Sequence, residues 1–397
     1  MDIYKISDKV SYVGVDDHTT TLFEGLWTLP KGASYNSYIV DGVDKVALID
    51  TVDAGSFDAF LANIKARIGN RAIDYLVVNH MEPDHSGSIN LIKAYYPNIE
   101  IVGNAKTAQM LKGFHGIDSG VKVVADGDTL PLGRTSLSFH LTPMLHWPET
   151  MMTFEGDDGI LFSGDAFGCF GALNGALLDT QLTPNDYSDE MTRYYACIVA
   201  KYGIPVKNAA KKLSGLSIKA ICPTHGPVWT KHAGQTIERY MQLANWDTKP
   251  GVVIAYGSMH GNTQQMAQAM AHELAKEGVG PVVMHNLCTA DDKSVVLRDI
   301  CTYDTLILGS PTYNAAIFPP VAALIEALKN RAMQRHTIGC FGCYTWSPGV
   351  SKKMAAAFEG TKNEVLEPFD FQYAPHSAAA QEACQKMCAE IKQAMQQ

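Results

Sequence analysis

The sequence predicts two α/β domains in tandem, a layered domain built on two sheets followed by a doubly wound parallel sheet. Three observations predict this. The chain has 397 residues, more than one core usually organises at about 150 residues per domain. Up to about residue 245, short β-branched or aromatic-rich runs are joined by turns and helices in mixed order. From Gly251 onward, strand and helix alternate strictly, the grammar of a parallel sheet covered on both faces.

In the first half the strand candidates are "KVALID", "IDYLVVNH", "IEIVGN", "LSFHLTP", "GILFSGD" and "IKAICPTHG". "NWDTKPG", residues 245–251, collects turn formers and a proline and marks the boundary, giving domains over 1–248 and 249–397. In the second half "GVVIAYG" reads as a buried strand. "NTQQMAQAMAHELAKEG" reads as a helix with Met266, Met270 and Leu274 on one face, closed by Gly278. "DTLILGS" is the next strand, and a helix is expected near 319–330.

Composition narrows the function. The hydrophobic fraction of 46% and the charged fraction of 18% are those of a folded globular protein. A net charge of -9 and the lack of any Lys/Arg-rich segment argue against nucleic-acid binding. The chain opens on the mixed, polar "MDIYKISDKVSY", and the uncharged run 305–325 carries three prolines, so neither a leader nor a membrane span is expected. Nine cysteines scattered through apolar runs fit reduced thiols in the cytoplasm. Cys340 and Cys343 form a C-x-x-C with no second knuckle at zinc spacing, so they read as buried thiols at a strand end.

The densest chemistry lies in "HMEPDH". His80, Glu82, Asp84 and His85 cannot all face one way on a strand, and Pro83 is expected to keep a regular helix from starting among them. They are placed on a loop around two metals, His80 and Glu82 to one side, Asp84 and His85 to the other. Three further candidates each follow a strand: His146 in "TPMLHWPE", Asp165 in "LFSGDAFG" and His225 in "ICPTHGPV". Singly, each is more often a cap or turn former.

In the second half "YGSMHGNT" joins the first strand to its helix and is neither a Walker loop nor G-x-G-x-x-G. Ser258, Gly261, Asn262 and Thr263, with Met259 and His260 between them, bring hydroxyls and backbone N–H groups to a helix N-terminus, which suits a monophosphate. Two more loops reach the same edge. "SPTYNAAIFPP" brings Pro311, Thr312, Tyr313 and Asn314, and "GCYTWSPG" brings Tyr344 and Trp346, aromatic surfaces for a flat ring.

Taken together, the order H-x-[EH]-x-D-H, His, Asp, His at strand ends resembles the metallo-β-lactamase fold, an αββα sandwich, from the N-terminus to about residue 245. The resemblance implies His80, Glu82 and His146 on one metal, Asp84, His85 and His225 on the other, and Asp165 as the bridge. Hydrolases of that superfamily generally carry His where Glu82 stands, and a carboxylate hardens the site toward iron. The second half is similar to flavodoxin, which implies FMN, with Trp346 the preferred stacking residue.

The combination resembles the flavodiiron proteins over essentially the whole chain. That resemblance implies a reductase of dioxygen to water, of nitric oxide to nitrous oxide, or both, with electrons passing through FMN to a diiron centre. It also implies a head-to-tail homodimer, or a dimer of such dimers, and an external donor such as a rubredoxin or a reduced deazaflavin coenzyme. Phe23–Gly25 and Tyr195 are expected to line the iron pocket by the same analogy. The alternatives are a dinuclear zinc hydrolase, which leaves the flavin loop without a use, and an electron carrier whose first domain has lost its metals, against which all seven candidate ligands are intact. The residues do not separate the two gases, and dioxygen is placed first.

Overall fold

The computed structural model describes residues 5–182, 184–289 and 292–396. The chain divides into two compact units, one ending at Ala244 and the other beginning at Asn245. Residues 245–248 go with the second unit because Trp246 packs its ring against His336 at 5.7 Å and Asp247 pairs with Arg335.

The first unit is a sandwich of two sheets. The six-stranded sheet runs, in spatial order, Val10–Tyr12, Tyr38–Asp41, Val46–Ile49, Tyr75–Val77, Glu100–Gly103 and Val121–Val123. Its first three strands are antiparallel and the rest parallel. The five-stranded sheet runs Thr129–Pro131, Ser136–Leu141, Met151–Glu155, Ile160–Gly164 and Ala220–Pro223. Inward-facing Val40, Ala47, Ile49 and Val102 of one sheet meet Leu137, Phe139, Ile160 and Phe162 of the other in one buried cluster. Alternation along each strand therefore leaves Met152 and Leu161 on the outer face of the second sheet. Helices Gly203–Leu213 and Ala233–Asn245 follow in sequence, each with a buried apolar stripe.

The strands end where the candidate ligands begin. His80 lies three residues beyond Val77, Asp165 directly after Gly164, and His225 two residues beyond Pro223. One local expectation is corrected here. Pro83 does not block a helix but starts one, Pro83–Ser86, with Glu82 as its N-cap. The first turn of a helix has no intrahelical use for its N–H groups, so proline costs nothing at that position.

The second unit is a seven-stranded sheet with Val282–Asn286, Lys249–Tyr256, Tyr303–Tyr313 and Thr337–Tyr344 side by side, and Glu364–Val365 and Phe369–Gln372 both beyond the last. All of these pairings are parallel. Helix Asn262–Lys276 turns Met266, Met270 and Leu274 onto one face of the sheet beside Cys384, Met387 and Ile391 of helix Ala378–Ala394. The expected loop 310–320 is instead largely a hairpin, in which Tyr303–Tyr313 turns back through Asn314 and Ala315 into Ala316–Ile317. Both turn residues have positive φ, 49° and 57°, as a two-residue hairpin turn with the right twist requires. Ala at such a position gives little signal in the sequence.

Candidate functional site

The strand ends of the first unit bring seven side chains into two adjacent groups, His80, Glu82, His146 and Asp165 in one and Asp84, His85 and His225 in the other. In the first, Glu82 Oε2 lies 3.2 Å from His80 Nε2 and 3.3 Å from His146 Nε2, while Asp165 Oδ2 lies 2.9 Å from His146 Nε2. In the second, Asp84 Oδ2 lies 3.3 Å from His85 Nε2 and 3.2 Å from His225 Nε2. Asp165 turns its other oxygen, Oδ1, toward His85 Nε2 at 3.1 Å. One carboxylate thus faces both groups.

Packing fixes the ring orientations. His80 Nδ1 donates to Glu149 Oε1 at 2.8 Å, and His225 Nδ1 donates to the Ser34 carbonyl at 2.7 Å, so each ring presents Nε2 inward. Thr224 Oγ1 donates to Asp165 Oδ1 at 2.5 Å. Beneath the His80 segment, Asp50 accepts from the Asn79 backbone at 2.7 Å and its side-chain amide at 2.9 Å. The rings of Phe23 and Tyr194 stand 5.4 Å and 5.5 Å from that of His225. Tyr195, the residue expected there, packs its ring on Tyr240 at 5.0 Å. A π-helical turn begins at Tyr195, and neighbouring helical residues point in different directions.

The second unit holds a cavity of about 650 Å³ at the carboxyl ends of its strands. Ser258, Met259, His260, Asn262 and Thr263 line it from the first loop. Pro311, Thr312 and Asn314 line it from the hairpin, and Tyr344 and Trp346 from the third loop. Of the expected residues, Gly261 instead shapes the turn, with φ of 90° and its N–H donated to Ser258 Oγ, and Tyr313 turns its ring to Phe318 at 5.6 Å. Trp346 is 86% exposed, a large apolar surface left open among the described residues.

Comparison with known proteins places both halves. A family model described as ODP family beta lactamase matches residues 33–226, and a flavodoxin model matches 254–386. The nitric oxide reductase of Moorella thermoacetica is 32% identical over 365 residues, 91% of this chain and 90% of that protein. The rubredoxin-oxygen oxidoreductase of Megalodesulfovibrio gigas is 34% identical over 366 residues, with the same coverage of 91% and 90%. The solved rubredoxin oxygen:oxidoreductase from Desulfovibrio gigas matches with a TM-score of 0.94 at 30% identity, over 100% of this chain and 99% of that one. A mutant flavo di-iron protein from Thermotoga maritima gives 0.91 at 28% identity, over 99% and 98%. The chain belongs to the flavodiiron protein family.

The cofactors of a flavodiiron protein, an iron pair and FMN, fit the residues present. The Nε2 atoms of His85 and His225 are 3.0 Å apart, so their lone pairs repel unless a proton or a cation lies between them. The Asp84 carboxylate makes no well-aligned hydrogen bond among the described residues, only close approaches to His85 and His225 Nε2, an arrangement that suits a cation between them. Donor atoms each about 2.0–2.2 Å from one cation lie roughly 3–3.5 Å from each other, the spacing seen in both groups. The donors are imidazole nitrogen and carboxylate oxygen without thiolate, a set that suits iron.

Proton equilibria of this flavodiiron chain tell the same story. Burial works against charge on His146 and His85, yet Asp165 and Glu82 beside the first, and Asp84 and Asp165 beside the second, push each imidazole up to about 9. Burial would raise the Glu82 carboxyl, but hydrogen bonds from His146 and His80 bring it down to about 2. Asp165, fully buried, is likewise held well below the usual carboxylate range by the charges of His85 and His80. The carboxylates demand positive charge, and without metal the imidazoles hold it as protons.

Sequence reasoning missed Glu149, Asn79, Asp50, Thr224 and Ser34 around the ligands, and Ala315, Cys343, Thr345 and Ser347 in the second cavity. Glu149 alone carried a local signal, three residues beyond His146 in "HWPE". The C-x-x-C thiols lie along strand Thr337–Tyr344, Cys340 fully buried in the core and Cys343 in the cavity wall, its thiol pushed up to about 11 by burial and so little ionised.

Proposed function

We propose that this chain is an FMN- and diiron-dependent oxidoreductase that reduces dioxygen to water, nitric oxide to nitrous oxide, or both, with electrons from an external donor passing through FMN to the iron pair. The observation that carries the reading is the pair of donor groups facing a single shared carboxylate, Asp165, in a chain that also bears a flavodoxin domain. His80, Glu82 and His146 would hold one iron and Asp84, His85 and His225 the other, with Asp165 facing both groups. When bound, the iron pair supplies reducing equivalents and open positions for a small gas, and FMN supplies the route by which electrons arrive.

The chain's own residues do the rest. Glu149 and the Ser34 carbonyl fix the tautomers of His80 and His225. Phe23, Tyr194 and the indole of Trp147, 5.2 Å from the His80 ring, keep bulk water from the centre. Ser258, Asn262 and Thr263, at the N-terminus of helix Asn262–Lys276, take the flavin phosphate, and Tyr344 and Trp346 take the ring.

Further parts of the reading rest on relatives. One relative is named a rubredoxin-oxygen oxidoreductase, which supports a rubredoxin as donor, with a reduced deazaflavin as the other option. We assign a head-to-tail homodimer that sets one protomer's FMN against its partner's irons. A cytoplasmic site accords with nine cysteines scattered through apolar runs, and no helix among the described residues is long and apolar enough to cross a membrane. A zinc hydrolase is not supported, because the similar proteins are named reductases and the flavodoxin domain has no part in hydrolysis.

The test is anaerobic reduction of the purified holoprotein followed by separate addition of each gas, with flavin reoxidation and product recorded. Rapid reoxidation by at least one gas is expected, and His80→Asn should abolish it while leaving FMN reducible. Unchanged turnover in that variant would reduce the chain to an electron carrier.

A further inference from the structure

The first unit contains a second cavity, of about 280 Å³, between the outer face of the five-stranded sheet and helices Gly203–Leu213 and Ala233–Asn245. Met152 and Leu161 form its floor, and Val206, Ala209, Ile237 and Met241 its sides. Its lining is mainly hydrocarbon, with Ser214 and Tyr240 among it, and a mainly apolar space takes up apolar gases.

Its lining includes exposed Ser214 and half-buried Ala210, Leu216 and Ile218. It also includes Leu145, Ala166 and Tyr240, 4%, 1% and 1% exposed. Leu145 and Ala166 are the chain neighbours of His146 and Asp165, which face each other at 2.9 Å in the metal centre. The buried part of the lining therefore includes the chain neighbours of two of the seven candidate ligands. Close packing is the rule for such a position, so an unfilled volume here calls for an occupant.

We propose that this cavity is a binding site for the apolar diatomic gas substrate, concentrating it from solvent and delivering it to the metal centre past Leu145 and Ala166. The proposal rests on the gas-reductase function given above. A small uncharged molecule gains by leaving water for hydrocarbon, and the cavity offers it no charged group to turn it away. Ions and charged reductants find no charged partner among the described lining residues.

The test uses the FMN- and iron-loaded full chain. Crystals pressurised with xenon should show the noble gas between Ala209 and Tyr240. Filling the space with Ala210→Leu, or independently Ile237→Phe, should lower kcat/KM for the gas by about threefold or more while kcat at saturating gas is kept, the mark of impaired access rather than impaired chemistry. Iron content, FMN content and the rate of flavin reduction by the donor should match the unsubstituted protein. Xenon absent from the cavity, unchanged kcat/KM in a folded, iron-loaded variant, or density for a longer hydrocarbon in the protein as purified would each overturn the proposal. If the unsubstituted protein consumes neither gas, the function reading itself falls, whatever xenon shows.

Discussion

Replacing Glu149 with Gln isolates what one buried carboxylate outside the ligand set does for the metal. Glu149 is fully buried, and its Oε1 accepts from both His80 Nδ1 at 2.8 Å and the Met81 backbone N–H at 2.9 Å. A glutamine carbonyl can keep both bonds but removes the charge behind them. Charged hydrogen bonds contribute about 1.5–3 kcal/mol and neutral ones about 0.5–1.5, so the loss on the His80 bond is about 1–1.5 kcal/mol. That is roughly tenfold in iron affinity, the lower end of the range of about 10–100-fold seen when the partner of a metal-bound histidine is removed. The loss should fall on the group containing His80, leaving the group of Asp84, His85 and His225 intact. Dialysis against graded chelator, with iron counted per FMN, reads this out, because FMN sits in the other unit and reports a folded, loaded chain. The first iron should leave at about tenfold lower chelator strength than in the unsubstituted protein. Iron retention superimposable on that of the unsubstituted protein would refute the link between Glu149 and His80 basicity.

Other outcomes follow from the same geometry. Without metal, His85 and His146 titrate near 9 when folded against about 6.5 unfolded. Their stabilisation is therefore complete below about pH 6.5 and lost as pH rises through 9, so the urea midpoint of the metal-free protein should fall across that window while the iron-loaded midpoint holds. Metal uptake at pH 7 should release protons from these rings, measurable by calorimetry in buffers of different ionisation heat. Trp346→Ala should weaken FMN binding by about 2–10-fold, from roughly 0.5–1.5 kcal/mol of lost stacking, as read by flavin fluorescence. Gly342→Ala should also release FMN, because a Cβ there collides with the Asp370 carboxylate that accepts from Gly349 N at 2.8 Å and Ser351 N at 3.1 Å. A variant retaining full FMN would show that the third loop does not depend on that anchor.

The parts legible in the sequence were those encoded locally. Alternating strand and helix grammar from Gly251 gives a parallel sheet because each strand buried on both faces must be an unbroken apolar run, and "GVVIAYG" and "DTLILGS" are such runs. The strand-end cluster of candidate ligands was visible because the polar "HMEPDH" directly follows an apolar strand. What stayed hidden depends on contacts distant in the chain. Glu149 reaches His80 across 69 positions and Ser34 reaches His225 across 191, and no periodicity encodes either. The start of a helix at Pro83 was hidden because proline signals a helix end and a helix first turn alike. Tyr194 in place of Tyr195 was hidden because the π-helical turn is set by packing rather than by any residue preference.

The measurement that tests the central claim most directly is anomalous diffraction at the iron edge from crystals of the holoprotein grown without added zinc. Two iron peaks are expected, one among His80, Glu82 and His146, the other among Asp84, His85 and His225, with the Asp165 carboxylate between them. A single peak, a zinc signal in place of iron, or a pair of peaks that Asp165 does not touch would contradict it.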